Sequence, residues 1–423
     1  MNRFVARFRP FRGIRYPLAP AGETADLSAV SAPPYDVIDE DERAFLEARD
    51  PHNAVRLILP RDEAGGGDRY DAAAARLRTW EQSGVLATDA AARLYRYRMT
   101  FTDDRGGSRT TDGVLGALGL PDPDGADDGR GVLPHERTMP KAKSDRLALL
   151  RATRANLDPI WGLSLTEGLS ALVAAATTRI AEATDPQGVH HELFALDDPD
   201  AVAAVTEAVD GTPVVLADGH HRFETACNYR AEQRAAGRDD PAAGEIMALV
   251  VELAEDQLSV GPIHRLLRGT AGTDLAAALA GTCVVESIGA NTPEHVAELE
   301  RRMHRDGGLG LVEPSGLALL RPRPELVEPR LAELPPEVRT VDSARFEVAV
   351  RPVAPDAELT YRDDGPAVAA LVEKGAVDAA VLLRPVTVEQ IRAAAFAGVR
   401  MPEKTTFFQP KPRTGFVFRS LDR

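Results

Sequence analysis

One short segment of the chain combines side chains that suit phosphate and metal chemistry. Its members are Asp218, Gly219, His220, His221 and Arg222. The segment follows an apolar run at residues 212–216, which is typical of a buried strand, and opens a stretch with helical spacing that ends at Gly237. At a strand-to-helix turn, unpaired backbone N–H groups, the positive end of the helix dipole and a guanidinium converge. The pattern therefore predicts an anion site.

Each residue type has a defined use in such a turn. Gly219 lets the backbone approach a ligand closely. His220, His221 and Arg222 suit the binding of phosphates at the helix start. Asp218 has the wrong charge for gripping phosphate, so it suits a metal ion or a proton instead. The structural alternative is that Asp218 only caps the helix and that one histidine is an ordinary buried side chain.

A second concentration of charge lies at residues 133–146, in a chain that is acidic overall. One interpretation is a solvated charged segment. The other is a phosphate cradle in which Glu136 is a catalytic carboxylate. The basic candidates for that cradle are His135, Arg137, Lys141 and Lys143. Lys404 and Lys411 are further candidates, because prolines stiffen the segments that carry them.

The segments that must position these residues are predicted to be alternating strands and helices. Strands are predicted at residues 55–59, 158–165, 190–196 and 245–253, and helices at residues 68–84, 144–156, 168–184 and 198–209. The run at 245–253 is the most apolar, which suits a central strand covered on both faces. Prolines hold the backbone before Tyr35 and Asp36 extended, so these side chains are displayed from a rigid loop.

The length of the chain indicates several domains, and its net charge bears on the kind of partner it binds. The 423 residues are too many for one ordinary core. We expect an α/β (mixed α+β) fold with an N-terminal α/β domain at 1–165, a central domain at 166–290 and a C-terminal α/β region at 291–423, whose apolar tail docks on the body. The net charge of -15 argues against a nucleic-acid partner.

The remaining composition favours the cytoplasm. No window approaches the ~18 uninterrupted apolar residues of a membrane span, so we expect no membrane partner. The two cysteines, Cys227 and Cys283, supply neither a disulfide scaffold nor a cysteine zinc site. The oligomeric state does not follow from the sequence.

Five separate motifs resemble one family. They lie at residues 11–16, 32–38, 133–138, 217–222 and 401–408. Together they resemble the bacterial and archaeal family catalogued as domain of unknown function one thousand and fifteen, over nearly the whole chain. Membership in that family implies no particular activity.

The turn at Asp218 also resembles the signature of the ParB and sulfiredoxin superfamily, over roughly residues 193–267. That resemblance implies a central nucleotide-binding domain, because free-serine kinases of the superfamily carry an almost identical Asp-Gly-His-His-Arg segment. It implies that the segment from Gly219 to Arg222 binds phosphates and that Asp218 lies near the transferred group or its metal. No cysteine occupies the turn, which argues against sulfinic-acid reduction. No helix-turn-helix segment is evident, which argues against a ParB-like DNA partner.

These observations predict a kinase that uses ATP or ADP with Mg²⁺ to phosphorylate the hydroxyl of a small metabolite, serine or similar. The candidate catalytic residues are Asp218, Glu136 and His220: Asp218 holds Mg²⁺ or orients the hydroxyl, and Glu136 takes its proton. One alternative is a ParB-like nucleotide-binding switch without turnover of a small molecule. The other is a metal-dependent hydrolase. Its ligands would be His135, Glu136, Asp218, His220 and His221.

Overall fold

The computed structural model describes residues 7–17, 24–62, 66–103, 106–121, 131–134, 143–238 and 240–422. These residues form a mixed α/β fold, as the sequence predicts, and they divide into two compact units. The second unit contains Val260–Gln409, and the first contains most of the chain before it together with Pro410–Arg423. This division differs from the three consecutive domains expected from the sequence, because strands on both sides of residue 165 pair in one sheet.

Short and long strands alternate with helices in the first unit. The strands before the second unit are β1 (Phe8–Arg9), β2 (Gly13–Arg15), β3 (Ala25–Asp26), β4 (Ala87–Thr88), β5 (Leu94–Thr102), β6 (Ser108–Gly119), β7 (Val132–Pro134), β8 (Ala155–Asn156), β9 (Ile160–Ser164), β10 (Thr178–Thr184), β11 (His190–Leu196), β12 (Val214–Asp218) and β13 (Glu245–Glu252). The helices are α1 (Glu40–Arg49), α2 (Val55–Ile58), α3 (Arg69–Gln82), α4 (Lys143–Thr153), α5 (Leu169–Val173), α6 (Pro199–Asp210) and α7 (His220–Ala235).

The main sheet of the first unit has the strand order β3-β10-β11-β5-β6-β13-β9-β12-β7, with β1 added beside β6. Strand β13 pairs with β6 and β9 and is buried along nearly its whole length, which confirms the central position predicted for it. Strand β12 runs antiparallel to β9 and parallel to β7. The backbone of β9 comes close to β12 at Gly162, where an added Cβ would lie 2.4 Å from Val214 Cγ1.

Helix α7 is fixed to this sheet by its apolar face. Phe223 and Ala226 join the core that includes Val214 and Leu216 of β12. Burial of such side chains stabilises the helix by roughly 1.5–3 kcal/mol for each large apolar residue. The packing therefore holds the first turn of α7 rigidly at the end of β12.

The second unit is built on a separate sheet. Its strands are β15 (His264–Arg268), β16 (Cys283–Gly289), β17 (Leu309–Glu313), β18 (Gly316–Pro322), β19 (Glu358–Arg362) and β20 (Ala379–Leu382), in the order β16-β18-β17-β20-β15-β19. Its helices are α8 (Leu275–Leu279), α9 (Pro293–Asp306), α10 (Pro324–Leu331), α11 (Asp342–Ala349), α12 (Gly365–Glu373) and α13 (Val388–Ala397). Strand β14 (Ser259–Gly261) pairs with β21 (Phe407–Gln409), and β22 (Phe418–Ser420) pairs with β2 and β8.

Two elements differ from the sequence expectation. Residues 55–59 begin with the short helix α2 instead of a strand, because the buried Asn53 side chain accepts a hydrogen bond from Val55 N (2.9 Å) and donates to Ala29 O (2.7 Å). Residues 168–184 form α5 followed by β10 instead of one helix, since β10 pairs in antiparallel register along β11. Tertiary pairing overrides local propensity in both places.

The other predicted helices and strands are present within a few residues of their expected bounds. Within the described ranges, every helix is too short or too polar to cross a lipid bilayer. The C-terminal segment Pro410–Arg423 belongs to the first unit, where β22 pairs with β2 and β8. Phe416 and Phe418 are almost completely buried there.

Candidate functional site

The predicted strand–turn–helix arrangement is present. Asp218 is the last residue of β12 and lies opposite Trp161 of β9. Gly219 follows with a φ of +88°, and α7 begins at His220. A Cβ on Gly219 would also lie 3.1 Å from Ile160 Cγ2 and 3.2 Å from Arg222 Cζ. Glycine is therefore required by backbone conformation and by space.

Asp218 does not cap the helix. The N-cap position of α7 is Gly219, and no side chain makes a capping hydrogen bond there. The structural alternative for Asp218, a simple helix cap, is therefore wrong. The helix has 16 residues, so the positive end of its dipole lies beside the turn.

Two cations hold the Asp218 carboxylate. Lys411 Nζ donates to Oδ1 at 2.6 Å, and Arg222 Nη2 donates to Oδ2 at 3.1 Å. The three side chains are only 12–21% exposed. Burial alone favours the neutral acid, but the Lys411 ammonium and the Arg222 guanidinium prevail and lower the pKa of Asp218 to about 2. Asp218 is therefore ionised near neutral pH and is only a weak proton acceptor there.

The guanidinium of Arg222 is fixed by more than Asp218. Its Nη1 donates to the backbone carbonyl of Pro159. Burial tends to lower the pKa of Arg222, but the nearby carboxylates of Asp158, Asp218 and Asp36 raise it. The side chain is charged at any physiological pH, and its position is set before a ligand arrives.

Asp158 is a second carboxyl group of the site, with an environment opposite to that of Asp218. It is buried at the start of β9 and accepts a hydrogen bond from the hydroxyl of Thr414. Burial raises the pKa of Asp158, although Arg222 and Thr414 oppose the shift. Two carboxyl groups with divergent pKa values around one arginine are typical of acid–base sites.

Arg146 and Tyr35 lie beside this carboxyl group. The guanidinium of Arg146 is stacked 4.2 Å above the Tyr35 ring, and its Nη1 donates to Ile58 O at 2.8 Å. Burial raises the pKa of the Tyr35 hydroxyl, against the opposing effect of Arg222. Pro34 is extended (φ −58°, ψ 147°) before Tyr35, as the double proline predicts.

A pocket with an empty volume of about 450 Å³, part of it open to solvent, adjoins these groups. Arg146, Asp158 and Arg222 contribute charge to its wall, and Leu150 and other side chains supply apolar surface. The hydroxyl oxygen of Thr225, also on the wall, is buried and has no hydrogen-bond partner among the described residues. A mostly apolar pocket with a few convergent polar groups is the usual form of a small-molecule site.

The C-terminal tail delivers two of the site residues. Thr414 forms backbone hydrogen bonds with Ala32 in both directions, at 3.1 and 2.8 Å. The guanidinium of Arg413 donates to the Ser31 hydroxyl and carbonyl, each at 3.0 Å. These contacts position Lys411 against Asp218 and the Thr414 hydroxyl against Asp158.

Several predicted site residues cannot be placed on this geometry. His135, Glu136, Arg137 and Lys141 lie outside the described residues. Lys143 begins α4, and its side chain also lies outside the described part. His220 and His221 occupy the first turn of α7 and are partly exposed. Lys404 lies in the second unit with an exposed side chain.

The metal ligands proposed for a hydrolase are not brought together in the described part of the chain. Asp218, His220 and His221 do not form a group of potential ligands at coordinating distance, whereas Glu182, His190 and Glu192 do. His135 and Glu136, the other ligands of that alternative, lie outside the described residues.

Sequence reasoning missed Asp158, Thr225 and Thr414. Asp158 precedes Pro159 at the start of a strand, and this strand lies beside β12 in the sheet. An acidic residue just before a neighbouring strand was the signal that could have indicated Asp158. Thr225 lies one helical turn after Arg222, but a threonine inside a helix does not by itself indicate a ligand site. Thr414 contacts Asp158 across 256 residues, so its partner could not be predicted from the sequence.

A family model described as "Protein of unknown function (DUF1015)" matches residues 8–342. No curated protein matches the chain. Among solved structures, a free serine kinase in complex with AMP is 13% identical with a TM-score of 0.36, and the match covers 69% of this chain and 89% of that chain. A free serine kinase mutant in complex with ADP is 14% identical with a TM-score of 0.37, covering 69% and 90%. A conserved hypothetical protein from Pyrococcus furiosus is 12% identical with a TM-score of 0.36, covering 69% and 93%.

Proposed function

This chain belongs to the DUF1015 family, whose description gives no activity, and we propose from its site that the first unit is a nucleotide-dependent kinase acting on the hydroxyl of a small metabolite, serine or similar. One observation carries the proposal. Two cations, Lys411 and Arg222, are held on Asp218 at the start of a long helix, and Arg222 also lines a partly open pocket. Phosphoryl transfer requires mainly positioning of the reactants and neutralisation of their charge. The turn between β12 and α7 offers both.

The phosphates of ATP or ADP are proposed to lie at the turn. Gly219 leaves the backbone open to close approach, while His220, His221 and Arg222 lie on the first helical turn. Arg222 and Lys411 would exchange Asp218 for phosphate oxygens, which a guanidinium binds in the same bidentate manner as a carboxylate. The base and ribose would then occupy the apolar part of the pocket. Arg137, Lys141 and Lys143 stay proposed additions to the phosphate cradle, together with His135.

Asp218 is proposed to hold Mg²⁺ once the phosphates have drawn Lys411 away. Magnesium is usually held by one or two carboxylates together with substrate phosphates, so a single aspartate at this position fits that ion. The bound ion would neutralise charge that develops on the phosphoryl oxygens. Until then, the carboxylate keeps the two cations in place.

The acceptor hydroxyl must lose its proton to a base. Glu136 is the first proposed base. Asp158 is a second candidate within the described part of the chain, because burial raises its pKa. The variants Glu136→Gln and Asp158→Asn separate the two assignments. The variant that removes the base loses turnover and keeps nucleotide affinity.

The test begins with binding. Purified protein is screened by thermal shift with ATP, ADP and CTP, each with and without Mg²⁺, because a ligand at 100 times its Kd stabilises a fold by about 2.7 kcal/mol. Turnover is then measured by ³¹P NMR with a panel of amino acids and other small alcohols. We expect Asp218→Ala to lower turnover by roughly 100-fold or more. Asp256→Ala, which changes an exposed aspartate, serves as the matched control.

Two results would contradict the kinase, and a third would change the role of Asp218. Tight nucleotide binding with ligand-dependent association and negligible product would indicate a switch. Bound transition metal in elemental analysis, with no response to any nucleotide, would indicate the hydrolase. Undiminished turnover in Asp218→Ala would remove Asp218 from the mechanism.

A further inference from the structure

A second polar pocket lies among the first three helices of the first unit. It has an empty volume of about 430 Å³ and shares no lining residue with the pocket beside Asp218. Every residue that lines it is charged. They are Glu47, Arg56, Arg61, Asp62 and Arg76. A wall of three guanidinium groups is unusual in a chain whose net charge is -15.

Backbone and side-chain contacts fix these guanidinium groups before any ligand is present. Arg56 Nη2 donates to the carbonyl of Glu47 at 2.7 Å, and Arg76 Nη1 donates to the carbonyl of Arg56 at 3.1 Å. Arg61 Nε donates to the Glu47 carboxylate at 2.8 Å. Each guanidinium has five N–H donors, so every one of them keeps donors for another acceptor.

The charges of the pocket do not cancel. Glu47 is already matched by Arg61, which also donates to Glu40, and it lies 3.6 Å from the guanidinium of Arg43, a further arginine of α1. Asp62 is the other acid of the wall, and it is exposed. The Nε of Arg56 is buried and has no hydrogen-bond partner among the described residues. A buried cationic donor without a partner is costly and indicates a missing acceptor.

We propose that this pocket binds a small phosphorylated anion through Arg56 and Arg76. Phosphate oxygens match the planar fork of arginine, so two fixed guanidinium groups recognise them in a bidentate manner. The pocket is partly open to solvent, so a small phosphorylated anion can enter it. The proposal is independent of the kinase function, because the pocket shares no wall with the turn at Asp218.

Inorganic pyrophosphate is the probe, titrated into the full chain by calorimetry at low ionic strength. We expect Arg76→Ala and Arg56→Ala each to weaken one class of site by at least tenfold. Arg78→Ala, which changes an exposed arginine on the same helix, should leave binding unchanged. Lys411→Met should also leave this class of site intact, since Lys411 pairs with Asp218 at the turn and does not line the arginine pocket.

The variants are first compared with the wild type by urea unfolding, so that a folding defect is recognised. Arg76→Gln repeats the test with a side chain that keeps the packing of the stem. Equal pyrophosphate affinity in the wild type, Arg56→Ala and Arg76→Ala would overturn the proposal. Loss of all binding in Lys411→Met alone would overturn it as well, because pyrophosphate would then bind only at the Asp218 turn.

Discussion

Replacing Lys411 by methionine should destabilise the first unit and change its dependence on pH. Methionine keeps the unbranched stem but removes the ammonium that lies 2.6 Å from Asp218 Oδ1. The carboxylate then keeps its ion pair with Arg222, in a site where its own side chain is only 21% exposed. Truncating one member of a buried ion pair leaves the other charge poorly compensated.

The size of the effect follows from the pKa of Asp218. Its fall from the ordinary value of 3.8 to about 2 corresponds to roughly 2.5 kcal/mol, at about 1.4 kcal/mol per pKa unit. Because the folded-state pKa is depressed, this stabilisation is complete above pH ~4 and is lost as the pH falls toward ~2. Lys411 shares the effect with Arg222, so we expect Lys411→Met to cost about 1–2 kcal/mol at pH 7. The variant should also lose less stability on acidification.

Tryptophan fluorescence reports this unit selectively. The chain has two tryptophans, Trp80 and Trp161, both of which lie in the first unit, and Trp161 is the register partner of Asp218. Urea unfolding is followed at pH 7 and at pH 3 for the wild type, Lys411→Met, Asp218→Asn and the double variant, with the exposed Lys374→Met as control. A coupling energy below about 0.3 kcal/mol at pH 7 would refute the ion pair, since contacting charged partners in one network normally couple by more than that.

Two further perturbations test other parts of the fold. Gly219→Ala should destabilise the first unit by about 2–3 kcal/mol in urea unfolding, and the control Gly237→Ala by about 1 kcal/mol. Both glycines have positive φ, but only Gly219 has neighbours within 4 Å of an added Cβ. Equal losses of stability in the two variants would show that crowding around the added Cβ contributes nothing. Burial lowers the pKa of His264 to about 4, so the second unit should lose about 3 kcal/mol as the pH falls from ~6.5 to ~4. His264→Asn should abolish that loss in circular-dichroism unfolding, and an unchanged pH profile would contradict the assignment.

The turn could be predicted from the sequence because its signals are local. An apolar run, a glycine and an arginine one helical turn later lie within a dozen residues, and each has a fixed structural meaning. The same reasoning placed the central strand, because the uninterrupted apolar run at residues 245–253 leaves no solvent-facing side. Lys411 was identified only as a candidate, since a lysine between two prolines gives no information about its partner.

The rest of the site could not be predicted because it depends on contacts between distant segments. Lys411 meets Asp218 across 193 residues, and Thr414 meets Asp158 across 256 residues. The strand assignment at residues 55–59 was wrong because the side chain of Asn53, a residue outside the apolar pattern, fixes a helical turn there. Local patterns identify elements, but they do not identify the partners that long connections bring together.

The Asp218 ion pairs have a consequence for ligand binding in the proposed reaction. Two cations at a helix N-terminus repel each other and the positive end of the helix dipole. This repulsion would drive the two side chains apart when no anion is bound. Asp218 compensates that repulsion, so Lys411 and Arg222 already lie at the turn when a phosphate arrives. A phosphate group offers more acceptor oxygens and more charge than one carboxylate, so the exchange of partners favours the ligand. In the proposed reaction, the aspartate that holds the cations in the free protein would then become available to Mg²⁺ in the complex.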